Sequence, residues 1–174
     1  WLGSKTQQGF YKKTLANGKK EILVLDLNSM EYRKANKVSF ATLSSTKTVE
    51  KVIDRFKILV KGTDKAGEFY RKTLASIFAY ASNRIPEISD ELYRIDDAMK
   101  AGFGWEHGPF QIWDAIGVEK GIEMMIKEGY KPNTWVKDML SKGSKSFYSI
   151  DNGTRCYFDL EKEKQIKIPG QDAF

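Results

Sequence analysis

Hydrophobic and polar positions change period twice along the chain. Near each end, short β-prone runs alternate with turn residues, and the long middle follows helical spacing. Two end segments resemble each other: "FYKKTLANGKKEILVLDLNSMEY", from Phe10 to Tyr32, and "FYSIDNGTRCYFDLEKEKQIKI", from Phe147 to Ile168. Each runs Phe-Tyr, then Asn-Gly (Asn17-Gly18 and Asn152-Gly153), then a strand-like run closing on Asp-Leu (Asp26-Leu27 and Asp159-Leu160). Asn-Gly is the favoured centre of a two-residue hairpin because both residues tolerate positive φ. The polar "NSM" and "EKEK" then supply a second turn. The pattern predicts a small β-meander at each end, the first with its linker over 1–40 and the second over 146–169.

Between them, 45–143 reads as a helical core. "TVEKVIDRFKILVKG" places Val49, Ile53, Phe56 and Val60 on one stripe, with Gly62 able to end it. "KAGEFYRKTLASIFAYASN" carries Phe69, Leu74, Ile77, Phe78 and Ala81, the wide apolar face of a central helix. Pro86 suits the first turn of a third helix, with Ile88, Leu92, Ile95 and Met99 inward and a stop at Gly102. A short helix follows, with Gly108 at its cap, Pro109 at its first position, Phe110, Trp113 and Ile116 on it and Gly117 after it. "VEKGIEMMIKEG" and "NTWVKDMLSKG" complete the bundle, the last capped by Asn133.

Composition fits a globular chain of 174 residues, 41% hydrophobic and 30% charged. Trp1 opens it without a methionine, and no charged segment followed by an apolar run stands behind it. The expectation is a single domain over 1–174, excised from a larger soluble, cytoplasmic protein with no membrane partner. One cysteine, Cys156, precludes an internal disulfide and suits a reducing compartment. The 29 basic and 23 acidic residues leave +6, which raises a basic helical nucleic-acid-binding domain as the alternative reading. The lysines are interleaved with acids, as in "KKEILVLD", so a solvated mixed-charge surface is favoured and no nucleic acid is expected.

The densest chemistry lies in "AGFGWEHGPFQIWDAIG", residues 101–117, which holds the sole histidine. His107 is the obvious candidate for acid–base work, but no nucleophile is identifiable beside it, and its neighbour Glu106 is adjacent in sequence rather than placed to orient it. A single histidine precludes a His-rich metal site. Trp105 and Trp113 next to a glycine-rich bend read as packing. The stretch lacks G-x-G-x-x-G spacing and follows a helix, so it is no dinucleotide cradle, although the amides opening the 109–116 helix could hold an anion. Glu87, Asp90, Glu91 and Asp97 lie mostly off the apolar stripe, whereas Asp96 is placed to cap or bridge to the glycine bend.

Taken as an ordered set, "IDDAMKAGFGWEHGPFQIWDAIG" resembles the C-terminal helical domain of the 3-hydroxyacyl-CoA dehydrogenases. The matching residues are Ile95, Asp96, Ala98, Met99, Gly102, Gly104, Trp105, Gly108, Pro109, Phe110, Asp114 and Gly117, and the likeness extends from about Thr48 to Met139. The flanking meanders look like connecting segments of the long bacterial and archaeal fusion forms. The resemblance implies a mainly α fold, a helical bundle like the C-terminal domain of 6-phosphogluconate dehydrogenase, here flanked by two small β-meanders. It implies a parent NAD-dependent oxidoreductase of fatty-acid β-oxidation whose Rossmann domain carries NAD and the catalytic pair, outside this chain.

The family's substrate-side asparagine has no counterpart. Its region falls on Tyr70, Arg71 and Lys72, and "SNR" at Ser82 to Arg84 comes too late. Such fusion enzymes carry two tandem helical copies, and a copy without the asparagine resembles the second, non-catalytic one. The implied role is a packing and pseudo-dimerisation domain. Its implied partners are the preceding helical copy and the Rossmann domain of the same chain, with acyl-CoA as the parent's substrate. No catalytic, cofactor or metal residue is expected in this fragment. Trp105, Glu106, His107, Gly108, Pro109 and Phe110 are the candidate packing or acyl-CoA contacts.

Overall fold

The structure is a computed structural model that describes residues 3–16 and 18–170. The chain divides into two compact units, 1–39 and 40–174.

The first unit is an antiparallel three-stranded meander, β1 (Tyr11–Ala16), β2 (Lys19–Leu25) and β3 (Tyr32–Lys34), in the order β1-β2-β3. Ala16 pairs with Lys19, and Gly18 has φ 74° as the hairpin turn requires. Asn17 lies outside the described residues, so only the glycine half of that Asn-Gly turn is seen. Asp26 closes the second turn: its Oδ1 accepts the Asn28 and Ser29 amides at 3.0 and 3.3 Å, and Met30 takes φ 58°. The Gly3–Gly9 segment folds back on β1 through a bridge from Gln8 to Lys12.

In the second unit, α1 (Ala41–Ser44), α2 (Val52–Leu59), α3 (Lys65–Asn83), α4 (Leu92–Phe103), α5 (Pro109–Ile116), α6 (Val118–Lys127) and α7 (Thr134–Ser141) precede a second meander, β4 (Tyr148–Asp151), β5 (Thr154–Asp159) and β6 (Lys164–Lys167). The core runs through α3 (Leu74, Ala75, Phe78), α5 (Phe110, Trp113), α7 (Val136, Met139) and the sheet (Phe147, Tyr157, Phe158). Asp64 caps α3, its Oδ1 accepting the Gly67 amide and its Oδ2 the Thr42 amide, both at 3.0 Å, which joins α1 to α3. These amide bonds hold the Asp64 carboxyl down to about 2. Asn133 caps α7 as its position predicts, accepting the Trp135 amide at 3.3 Å.

The helix expected from Pro86 begins instead at Leu92. Ser89 Oγ bonds both the amide and the carbonyl of Glu91, at 3.2 and 3.1 Å, a local alternative that holds this stretch out of the helix. Ile88 is consequently exposed rather than inward, and α4 runs one residue past Gly102 to a left-handed Gly104. Phe69 is also exposed, at the mouth of the cleft described below. The likeness of the two end segments extends to backbone detail. Asn152 and Gly153 have φ 48° and 80°, Asp159 Oδ1 accepts the Lys162 amide at 2.6 Å, and Glu163 takes φ 54° four residues after Asp159, as Met30 does four after Asp26.

Candidate functional site: an aspartate-clamped corner and an apolar cleft

Gly108 has φ −80° and ψ 172°, a conformation open to any residue. The reason for glycine here is steric rather than conformational. A Cβ on Gly108 would overlap the Cα, Cβ and Cγ atoms of Asp96. That close approach lets Asp96, on α4, reach the start of α5. Its Oδ1 accepts the Phe110 amide at 2.9 Å and its Oδ2 the Gln111 amide at 3.0 Å. Gln111 Oε1 accepts the Gly108 amide at 3.0 Å, completing a capping arrangement whose carboxylate comes from another helix. The bridge from Asp96 to the glycine bend is thus present. The anion site considered at this helix start is not available, since Asp96 and Gln111 already take its amides.

A second carboxylate repeats the device at the other end of α5. Asp114 Oδ1 accepts the Phe147 amide at 2.7 Å and its Oδ2 the Tyr148 amide at 2.9 Å, which fixes the start of β4. The Tyr148 hydroxyl returns to Asp96 Oδ2 at 2.9 Å, closing a ring through α4, α5 and β4. Phe147 then sits fully buried among Phe110, Trp113 and Trp135, with ring centroids 5.0, 4.9 and 5.8 Å away. Trp113 stacks on Phe78 at 4.9 Å and donates its indole N–H to the Val118 carbonyl at 3.0 Å. Burial pushes Asp96 up to about 6 and Asp114 up to about 7, against the opposing pull of their amide donors. Burial first, and then the Asp96 charge, raises the Tyr148 phenol above its ordinary range. Every oxygen of these carboxylates is engaged, which suits structural anchoring rather than turnover.

The six candidate contact residues separate into two groups. Gly108, Pro109 and Phe110 are buried in the corner. Trp105, Glu106 and His107 instead line a cleft of about 320 Å³ together with Val52, Phe56, Phe69, Tyr70 and Ile77 of α2 and α3. His107 Nε2 stands 3.4 Å from Glu106 Oε1, so the adjacent carboxylate does turn toward it, at a distance long for a hydrogen bond. The rest of the wall is mostly apolar, with Thr73 and Tyr70 adding hydroxyl groups to it.

Where the resemblance would have an asparagine, Arg71 donates to the carbonyls of Val60 (3.1 Å) and Gly62, tying α3 to the end of α2. Asn83 bonds the Ala79 carbonyl at 2.8 Å and accepts from Asn133 at 3.0 Å, at the far end of α3. The roles of Asp114 and Tyr148 escape a linear reading because their partners are 33 to 52 residues away. The repeated Phe-Tyr pair marks Tyr148 in the sequence, and Asp114 stands out there among the residues that carry the resemblance. Among the described residues, no cluster of three or more metal-ligating side chains occurs and no helix is long and apolar enough to cross a membrane. The described helices and antiparallel strands do not form a strand–glycine turn–helix cradle that would fit a dinucleotide.

Residues 67–147 match the family described as the 3-hydroxyacyl-CoA dehydrogenase C-terminal domain. A Bacillus subtilis protein named "Probable 3-hydroxyacyl-CoA dehydrogenase" is 36% identical over 96% of this chain and 21% of its own length. Proteins of Rickettsia felis and Rickettsia prowazekii, whose names describe a fatty acid oxidation complex trifunctional enzyme, are each 27% identical over 99% of this chain and 22% of their own length. The chain therefore spans about a fifth of the length of these relatives. No solved structure matches it. These likenesses lend no support to the nucleic-acid alternative.

Proposed function

We infer, from the match of residues 67–147 to the 3-hydroxyacyl-CoA dehydrogenase C-terminal domain, that this chain is a helical packing module of an NAD-dependent 3-hydroxyacyl-CoA dehydrogenase of fatty-acid oxidation. The observation that carries the reading is the use of the matching residues. Asp96, Gly108, Pro109, Phe110 and Asp114 are spent on holding α4, α5 and β4 together, with their polar atoms bonded inside the module. The bundle is read as the 6-phosphogluconate-dehydrogenase C-terminal type, the parent as cytoplasmic, and its NAD as held by a Rossmann domain elsewhere in the longer chain. The module packs against that domain and a preceding helical copy. In the parent, acyl-CoA approaches through the cleft edge at Trp105, Glu106 and His107.

The test is NADH oxidation with acetoacetyl-CoA. The longer enzyme turns over, whereas the 174-residue chain alone does not. Turnover by the isolated chain at a comparable kcat, co-purifying through two independent columns, would overturn the reading.

A further inference from the structure

The cleft beside the corner has an interior as well as an edge. Leu74 of α3 and Ile112 of α5 lie at its base, 4% and 3% exposed. Phe56 of α2, Phe69 and Ile77 of α3 and Trp105 stand around them. Phe69 is 63% exposed although it sits near the start of a long, capped helix. An apolar ring held open on a rigid element, over a concavity with a buried apolar base, is surface kept for a ligand. The volume of about 320 Å³ is at the small end of ligand sites, which run from about 300 to 1,000 Å³.

Charge at the cleft narrows the occupant. The cations nearest in sequence are committed elsewhere: Arg71 donates to the Val60 and Gly62 carbonyls, and Lys72 pairs with Glu68 at 2.7 Å. Among the described residues, no lysine or arginine lines the cleft. Its one carboxylate, Glu106, has a side chain 63% exposed. A phosphate or a free carboxylate entering here meets that charge with no cation to offset it. The other polar groups are the Tyr70 and Thr73 hydroxyls and the His107 imidazole, which can donate to an uncharged carbonyl. The chemistry that fits is an alkyl chain ending in a neutral acyl head.

We propose that this cleft takes the alkyl tail of an acyl thioester, lying over Leu74 and Ile112, with the thioester beside Glu106 and His107 and the coenzyme A portion outside. The choice of a thioester rests on the reading of the parent as a fatty-acid oxidation enzyme, whereas the alkyl chain follows from the cleft itself. To the edge contact at Trp105, Glu106 and His107 it adds which part of the substrate enters and what holds it. Binding therefore grows with chain length, by about fourfold for each methylene that enters, until the cleft is full.

Photolabelling of the full-length enzyme tests it, using the decanoyl thioester of N-acetylcysteamine with a diazirine at the end of its chain. Label is expected in peptides over 52–56, 69–77 or 105–112. Butyryl, hexanoyl and octanoyl thioesters compete with rising strength. Decanoate competes at least about tenfold more weakly than its thioester, a gap that Glu106→Gln narrows. Phe69→Glu, at an exposed position, cuts labelling at least about tenfold and leaves the melting temperature unchanged. Label confined to other parts of the enzyme, or labelling indifferent to Phe69→Glu, overturns the proposal. Competition by unacylated coenzyme A equal to that by the decanoyl thioester overturns the tail as occupant. Dehydrogenase turnover is not read in these arms. An inactive enzyme that labels in the cleft contradicts the functional reading alone, and an active enzyme that does not label there contradicts this inference alone.

Discussion

Tyr148 and Asp96 meet at 2.9 Å across 52 residues of chain, and with Asp114 they lock the first strand of the second meander to the glycine–proline corner. The corner is thereby one element with the sheet that follows it. Its energetics are set by two buried carboxyls and one aromatic plug.

The carboxyls give the first prediction. Burial raises Asp96 to about 6 and Asp114 to about 7, above the ordinary value of 3.8 that each takes when unfolded. Between those values the folded state binds more protons than the unfolded one, so stability falls as pH rises through that window. Urea midpoints should drop from pH 5 to pH 8, by an amount on the order of a few kcal/mol in unfolding free energy. Asp114→Asn should be less stable at pH 5 and show a shallower slope. Below about pH 4 the trend reverses, since Asp64, lowered to about 2, begins to lose its amide bonds. A midpoint that climbs steadily from pH 5 to 8 contradicts the assignment.

Gly108→Ala gives the second. The backbone at Gly108 is ordinary, so the cost comes from contact with Asp96 rather than from strain in φ. Overlap at a filled site costs about 1–3 kcal/mol, and displaced Asp96 loses amide bonds besides. Asp96→Ala made together with Gly108→Ala should cost less than the two single changes added, because displacing Asp96 and removing its carboxylate lose the same amide bonds. Strict additivity in thermal or urea denaturation would show that Gly108→Ala leaves those bonds intact.

The order of elements was legible in the sequence because period changes and terminators are local signals. Gly117, Asn133 and the Asn152-Gly153 turn act where their residue types predict. Asp96 as a bridge was legible too, being a carboxylate just ahead of a glycine bend. The ring it belongs to was not, since Tyr148 reaches it from the next sheet and Asp114 acts on amides 33 and 34 residues later. The start of α4 was misplaced because Ser89 satisfies backbone groups locally, which apolar spacing does not register. The opposite exposure of Phe10 and Phe147 is a tertiary fact, invisible in two identical Phe-Tyr dipeptides.

His107→Ala in the full-length enzyme is the third prediction. The imidazole lines a mostly apolar cleft, and its carboxylate neighbour Glu106 stands 3.4 Å away, long for an orienting hydrogen bond. The variant should keep kcat within about tenfold of the parent and shift KM for acyl-CoA more than kcat. A thousandfold fall in kcat with the fold retained would place the imidazole in the chemistry.

Phe110→Ala tests the central claim most directly. Phe110 is fully buried, with the rings of Phe147 and Trp135 at 5.0 and 6.1 Å, and its amide held by Asp96. Truncation should cost about 3–5 kcal/mol in urea unfolding and leave acyl-CoA affinity of the folded full-length enzyme within about threefold. A variant that unfolds at the parent's midpoint while losing acyl-CoA affinity would show the corner to be a ligand surface, contrary to its role here as a packing anchor.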